Sequence, residues 1–182
     1  MKKMISILVL AFAAASALAQ PKSDPAVSPK PDPMLRQLDA FAGNWKCSGT
    51  AFASPMSPQH ATTGEVWMKL DMNGYWMTFT YAEKKTTENP MPFQVNGFLG
   101  YDTEIHKLVM GSVDNMGGYS TASSDGWNGD TIVYSGPWHM GGMTVNGRDS
   151  FTKKGAREMI HAASIEQNGE WTKLDEETCV RK

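Results

Sequence analysis

The chain is 182 residues long, 41% hydrophobic and 20% charged, and its 17 Lys+Arg against 19 Asp+Glu give a formal net charge of −2. This length suits one domain with a sizeable core. The mild acidity argues against nucleic acid and anionic membrane surfaces as partners.

The N-terminus reads as an export signal. Lys2 and Lys3 supply a positive start, Ile5 to Ala17 an apolar run, and Ala17-Leu18-Ala19 a small-x-small cleavage site before Gln20. The run is short for a membrane span and leads directly into polar, proline-rich sequence. Residues 1–19 are therefore expected to be removed, leaving a mature net charge near −4 after loss of Lys2 and Lys3. No cysteine stands at the cleavage site to take a lipid anchor. The expected location is periplasmic or secreted, with no membrane span in the mature chain. From 20 to 33 the dense prolines predict a solvated tether.

A domain over 34–182 follows. Asp32-Pro33 offers a helix cap and first turn, and Met34, Leu35, Leu38 and Phe41 recur at helical spacing until Gly43. Beyond Gly43 apolar alternation punctuated by Gly, Asn and Pro predicts ten antiparallel strands. They fall at 44–53, 61–72, 75–82, 93–101, 107–114, 118–124, 130–136, 143–152, 157–167 and 170–181. The Asn73-Gly74 turn sets Val66 opposite Tyr81, Met68 opposite Phe79, Leu70 opposite Met77 and Met72 opposite Tyr75, so one face of that hairpin is wholly apolar. Glu65, Trp67, Lys69, Asp71, Trp76, Thr78 and Thr80 take the outward face.

Cys47 and Cys179 lie near opposite ends of the domain, and in an oxidising compartment they are expected to join as a disulfide. That pairing sets the first strand beside the last and closes the sheet into an all-β, up-and-down barrel. Antiparallel stepping then places Trp45 opposite Arg181, a guanidinium on an indole. One conflict arises. The Asn168-Gly169 turn sets Ile165 opposite Thr172, Ala163 opposite Leu174, His161 opposite Glu176 and Met159 opposite Thr178, which turns Cys179 outward. A bulge near Asp175-Glu176-Glu177 would reconcile the two registers.

Gly43-Asn44-Trp45 with a basic residue ending the last strand resembles the Gly-x-Trp and arginine pairing of lipocalin and other calycin barrels. The succession Leu38-x-x-Phe41-x-Gly43-x-Trp45, Phe98-Leu99-Gly100-Tyr101-Asp102, Val113-Asp114, Gly126-Trp127-Asn128-Gly129-Asp130 with Gly136, then Arg148 and Val180-Arg181-Lys182 is more specific. It resembles a bacterial family of secreted barrels known only as a domain of unknown function, and it covers nearly all of the mature chain. The resemblance implies a closed barrel of about ten strands, calycin-like and akin to nitrobindin-type haem barrels. It brings no activity with it. The strand count departs from a simple lipocalin, and no match to a haem-barrel signature ending in a ligand histidine is found.

The barrel interior is the expected site, holding a small hydrophobic or amphipathic molecule. Val66, Met68, Leu70, Met72, Tyr75, Met77, Phe79 and Tyr81 are its expected lining, with His161 on the Met159, Ala163, Ile165 face. Filled core is the plain alternative for these side chains, and with it an interaction or structural barrel that holds no small ligand. Haem would need an inward His161, perpetually in competition with the simpler expectation of a core histidine bonded to Glu176. Copper would use Trp138-His139-Met140-Gly141-Gly142-Met143, where imidazole and thioethers come within one turn, with Met56 and His60 as a looser pair. No cofactor is the first expectation. The chain lacks a nucleophile elbow, phosphate loop, Cys-x-x-Cys or His-Glu-x-x-His, so a non-catalytic role is expected. Asp149, Glu176 and Glu177 read as a solvated strand face. The polar run from Glu83 to Pro92 reads as an ordinary surface loop in preference to a lid.

Overall fold

The computed structural model describes residues 30–54 and 57–182. The export signal, most of the proline-rich tether and Met56 lie outside the described residues. A 3₁₀ helix, Pro33–Ala40, leads into ten strands: β1 Gly43–Ala51, β2 His60–Asp71, β3 Trp76–Glu83, β4 Gln94–Asp102, β5 Lys107–Asp114, β6 Tyr119–Ser124, β7 Thr131–Met140, β8 Met143–Gly155, β9 Glu158–Gln167 and β10 Glu170–Arg181. Each strand pairs with its sequence neighbours and β1 pairs with β10, which closes the barrel. Among the described residues no helix is long and apolar enough to cross a membrane.

Closure follows the cysteine register. Cys47 faces Cys179 and Trp45 faces Arg181, and the two sulfurs are bonded. The β2–β3 hairpin also keeps its expected pairs, from Val66 opposite Tyr81 to Leu70 opposite Met77. Its tip is looser than a two-residue turn: Asp71 faces Trp76, and Met72, Asn73 and Gly74 all take positive φ. The β9–β10 turn is tight, with Asn168 and Gly169 both at positive φ between Gln167 and Glu170.

The register conflict resolves at Leu174. Pairing shifts between Lys173 and Asp175, so Thr172 still faces Ile165, but Ala163 faces Asp175, His161 faces Glu177 and Met159 faces Cys179. The expected partners Leu174, Glu176 and Thr178 are each displaced by one residue. The extra residue is held by the Leu174 carbonyl, which accepts from Phe52 N at 2.7 Å. This bulge turns Asp175, Glu177 and Cys179 inward and leaves Val180 48% exposed.

The N-terminal helix plugs one end. Leu35, Leu38 and Phe41 are buried, and their three-residue spacing stacks them on one side of a helix with three residues per turn, the geometry of 3₁₀ rather than α structure. Asp32 caps the helix by accepting from Met34 N at 2.8 Å. Phe41 packs on Trp127 and Phe151, with ring centroids 5.5 and 5.0 Å away. Trp45 Nε1 donates to the Phe41 carbonyl at 2.8 Å. Arg181 Nη2 donates to the Ala40 carbonyl at 2.7 Å, and its guanidinium lies 4.6 Å from the Trp45 ring centre.

Arg181 thus ties the helix, the first strand and the last together. Arg181→Met keeps much of the apolar stem but removes a charged hydrogen bond and the cation–π contact, so a loss of about 3 kcal/mol is expected in urea unfolding. Arg181→Lys should recover less than half of this, because an ammonium cannot reproduce the planar fork. A loss below about 1 kcal/mol for the methionine variant would show that the plug is held by apolar packing alone.

Candidate functional site

Strand alternation, read through the registers, divides the barrel interior into layers. At the plugged end Met77, Leu99, Leu108, Ile132, Tyr134 and Met159 are buried. The Cys47–Cys179 disulfide belongs to the same buried cluster, with Cys179 opposite Met159. Beyond it comes a polar layer formed by Thr62, Tyr81, Asp149, His161, Asp175 and Glu177, all at inward positions.

His161 is the centre of this layer. Its Nε2 lies 3.0 Å from Asp149 Oδ1 and its Nδ1 3.4 Å from Asp175 Oδ1. Burial alone would push the imidazole pKa down, but the hydrogen bonds and charges of Asp149 and Asp175 hold it well above the ordinary value. The two carboxylates therefore favour the imidazolium form of the ring. The expected bond to Glu176 is absent because the bulge puts Glu176 outside, where it pairs with Lys173.

Glu177 is only 4% exposed. Tyr81 OH donates to its Oε1 at 2.8 Å. Burial pushes the carboxyl pKa up, while Thr62, Tyr81 and the His161 charge favour the anion and oppose that rise. Burial and the neighbouring Glu177 in turn push the Tyr81 phenol up, so it remains a donor. The Thr62 hydroxyl sits beside Glu177, yet its oxygen has no hydrogen bond of good geometry. Tyr134 OH and Trp138 Nε1, also on inward-facing side chains, are buried without partners.

The rings at this level lie along the wall. Tyr81 crosses Gly64, where a Cβ would come within 2.6 Å of Cε2, and Trp138 crosses Gly147, where a Cβ would come within 2.0 Å of Cδ2. Glycine at these two positions lets each ring rest on the neighbouring strand instead of crossing the lumen. These rings and the ionised side chains near them keep part of their surface accessible. Phe79, Tyr81 and Trp138 are only partly buried, and the side chains of His161, Asp149 and Asp175 keep 23%, 17% and 30% of their surface accessible. Since these residues face inward and the other end is plugged, that surface belongs to the lumen.

The remaining expected residues divide by depth. Val66 and Met77 are buried and Met68 packs on the core. Leu70 and Met72 reach past the barrel end, 48% and 64% exposed, and Tyr75 belongs to the turn between β2 and β3. Asp149 and Glu177, read from the sequence as a solvated face, are instead inward and paired. Strand alternation from Phe151 through Asp149 to Gly147 was the available signal for Asp149.

Both ring nitrogens of His161 are engaged, so the residue does not fit an axial haem ligand. On the copper motif, Met140 faces Met143 and His139 faces Thr144 across the β7–β8 hairpin. Alternation thus sends the imidazole and the thioethers to opposite faces, although all three residues border a cavity of about 300 Å³ at the hairpin tip. His139 stacks on Tyr119 at 4.1 Å and its Nδ1 lies 2.9 Å from Thr144 Oγ1. Cys47, Cys179 and Glu177 form a close group of potential ligands, but both thiols are in the disulfide. The loop after β3 closes on its own stem: Asn89 Nδ2 and Phe93 N each donate to Glu83 Oε2 at 2.7 Å.

Among solved structures the chain is similar to Rv2717c from M. tuberculosis, with a TM-score of 0.60 and 12% sequence identity over 84% of this chain and 99% of that one. At that identity the likeness is one of fold. No curated protein matches the chain. The family model described as "Protein of unknown function (DUF1579)" matches residues 30–181, and the chain belongs to that family.

Proposed function

We propose that this protein is an exported, non-catalytic carrier that holds a small amphipathic molecule in its barrel. The observation that carries this reading is the accessible surface on the inward-facing side chains of the polar layer. An apolar plug below and a ring of polar groups above suit a guest with an apolar body and one polar end. The signal-like N-terminus and the disulfide support export, since such bonds persist in oxidising compartments. The engaged nitrogens of His161 and the oxidised cysteines leave these groups unsuited to general-base or nucleophilic work.

Native mass spectrometry of the mature protein purified from the periplasm should reveal a small organic adduct, and an apolar fluorescent probe should displace it. Ser120→Phe fills the lumen from an inward position on β6 and is expected to weaken the probe at least tenfold, with the circular dichroism spectrum unchanged. Equal binding by this variant would place the probe on the outer surface. A wild-type barrel that takes no probe would overturn the proposal.

A further inference from the structure

The interior is electrically one-sided. Between the disulfide and the open end, the inward strand positions carry Glu83, Asp114, Asp149, Asp175, Glu177 and, at the rim, Glu170, and among the described residues the basic groups there are His161 and, at the rim, His60. The two other inward cations lie at the plugged end, Lys153 over the Trp127 ring and Arg181 over Trp45. Two of the carboxylates are used structurally. Glu83 binds Asn89 and Phe93 N, and Asp114 accepts from Met116 N and Gly118 N.

Asp149, Asp175 and Glu177 share a single imidazolium. Their layer therefore keeps a net negative charge, even with Glu177 protonated. Such a charge in a low-dielectric lumen attracts a cation more strongly than the same charge at the surface does. The acidic group does not stand alone as evidence. Thr62, 4% exposed, holds its hydroxyl beside Glu177 in the same layer without a hydrogen bond of good geometry, and its oxygen is left with lone pairs to accept from a guest. An ammonium N–H can donate to both that oxygen and the carboxylate. Phe79, Tyr81 and Trp138 present ring surface to the same space, which suits a cation with an apolar body.

We propose that the molecule held in the lumen is a protonated amine with an apolar chain or ring, its ammonium seated on Glu177 and Thr62 beside Asp175. This rests on the carrier function proposed above and adds the charge and donor character of the guest.

The test compares octylammonium, octanol and octanoate, matched in length, by calorimetry on the full mature chain. Octylammonium is expected to bind at least tenfold more tightly than octanol, octanoate more weakly than either, and the octylammonium affinity should fall as salt is raised. Glu177→Gln with Asp175→Asn should remove the tenfold preference and leave octanol unchanged. Thr62→Val should weaken octylammonium severalfold with octanol again unaffected. Should the double variant fail to fold, Thr62→Val and the wild-type salt series still decide the matter. Equal affinity for the three probes, insensitive to salt, would overturn the amine proposal and leave the carrier function standing. Failure of all three, together with failure of the fluorescent probe, would overturn both.

Discussion

Opening the Cys47–Cys179 bond is expected to cost about 5 kcal/mol of stability. The bridged residues are 132 apart, and in the chain-entropy account a loop of that size restricts the unfolded chain by about this much. For a domain of this length the loss corresponds to a fall of roughly 10–20 °C in Tm. The barrel itself should survive, because β1 and β10 remain paired from Trp45–Arg181 to Ala51–Asp175 without the sulfur bond. Urea unfolding with and without reductant reads the effect, and Cys47→Ala with Cys179→Ala repeats it without thiols. A cross-link acting on the unfolded state also predicts a larger m-value after reduction, since the released chain exposes more surface. An unchanged midpoint would show that the unfolded chain is already compact enough for the bond to restrict little. A lower midpoint with an unchanged m-value would place the stabilisation in the native state.

The cross-link was legible because it needs little more than compartment and spacing. The Asn73-Gly74 hairpin was legible for a related reason: the pairs Val66–Tyr81, Met68–Phe79 and Leu70–Met77 are all apolar and hold in the structure, whereas the expected Met72–Tyr75 pair gives way to a looser turn. The polar layer was hidden by a single residue. Counting from the Asn168-Gly169 turn without interruption puts Leu174 and Glu176 inside and Asp175 and Glu177 outside, the arrangement that composition alone favours. The bulge at Leu174 reverses both faces from Asp175 onward. The conflict with the Cys47–Cys179 register called for a bulge near Asp175-Glu176-Glu177, but no residue type at 173–175 fixes it at Leu174, where a hydrogen bond from Phe52 N, far away in sequence, holds it.

That reversal alters what the interior can recognise. An uninterrupted β10 would bring Leu174 and Val180 inward and give the barrel the apolar lining expected from β2 and β3. With the bulge, Glu177 meets Tyr81 along the inner wall and Asp175 reaches His161. The apolar residues Val66, Met68 and Met77 then describe the floor, and the selective end of the site is polar. Burying three carboxyls on an inner wall is costly unless they are paired. His161 offsets two of them and the Tyr81 hydroxyl supports the third, so the layer depends on one imidazole remaining charged.

Replacing that imidazole should therefore be among the most damaging single changes in the protein. His161→Ala leaves Asp149 and Asp175 facing each other without a counter-charge, and breaking an enclosed ion pair from one side costs about 3–5 kcal/mol. The pH dependence distinguishes charge from lost packing. Because the His161 pKa is raised in the folded state, folding binds the proton more tightly than the unfolded chain does. The stabilisation is complete below the unfolded value of about 6.5 and is lost as pH rises toward and through the folded value. The slope of that loss reaches about 1.4 kcal/mol per pH unit. The raised Glu177 carboxyl acts with the same sign at lower pH, from its unfolded value near 4.5 up to its folded one. Wild-type stability is thus expected to fall from pH 6.5 toward pH 9, whereas His161→Ala should be nearly flat over that range. Urea midpoints at several pH values make the comparison. Parallel curves for the two proteins would mean that His161 is neutral in the folded state, and the polar layer would then carry a larger negative charge than the ion pairs indicate.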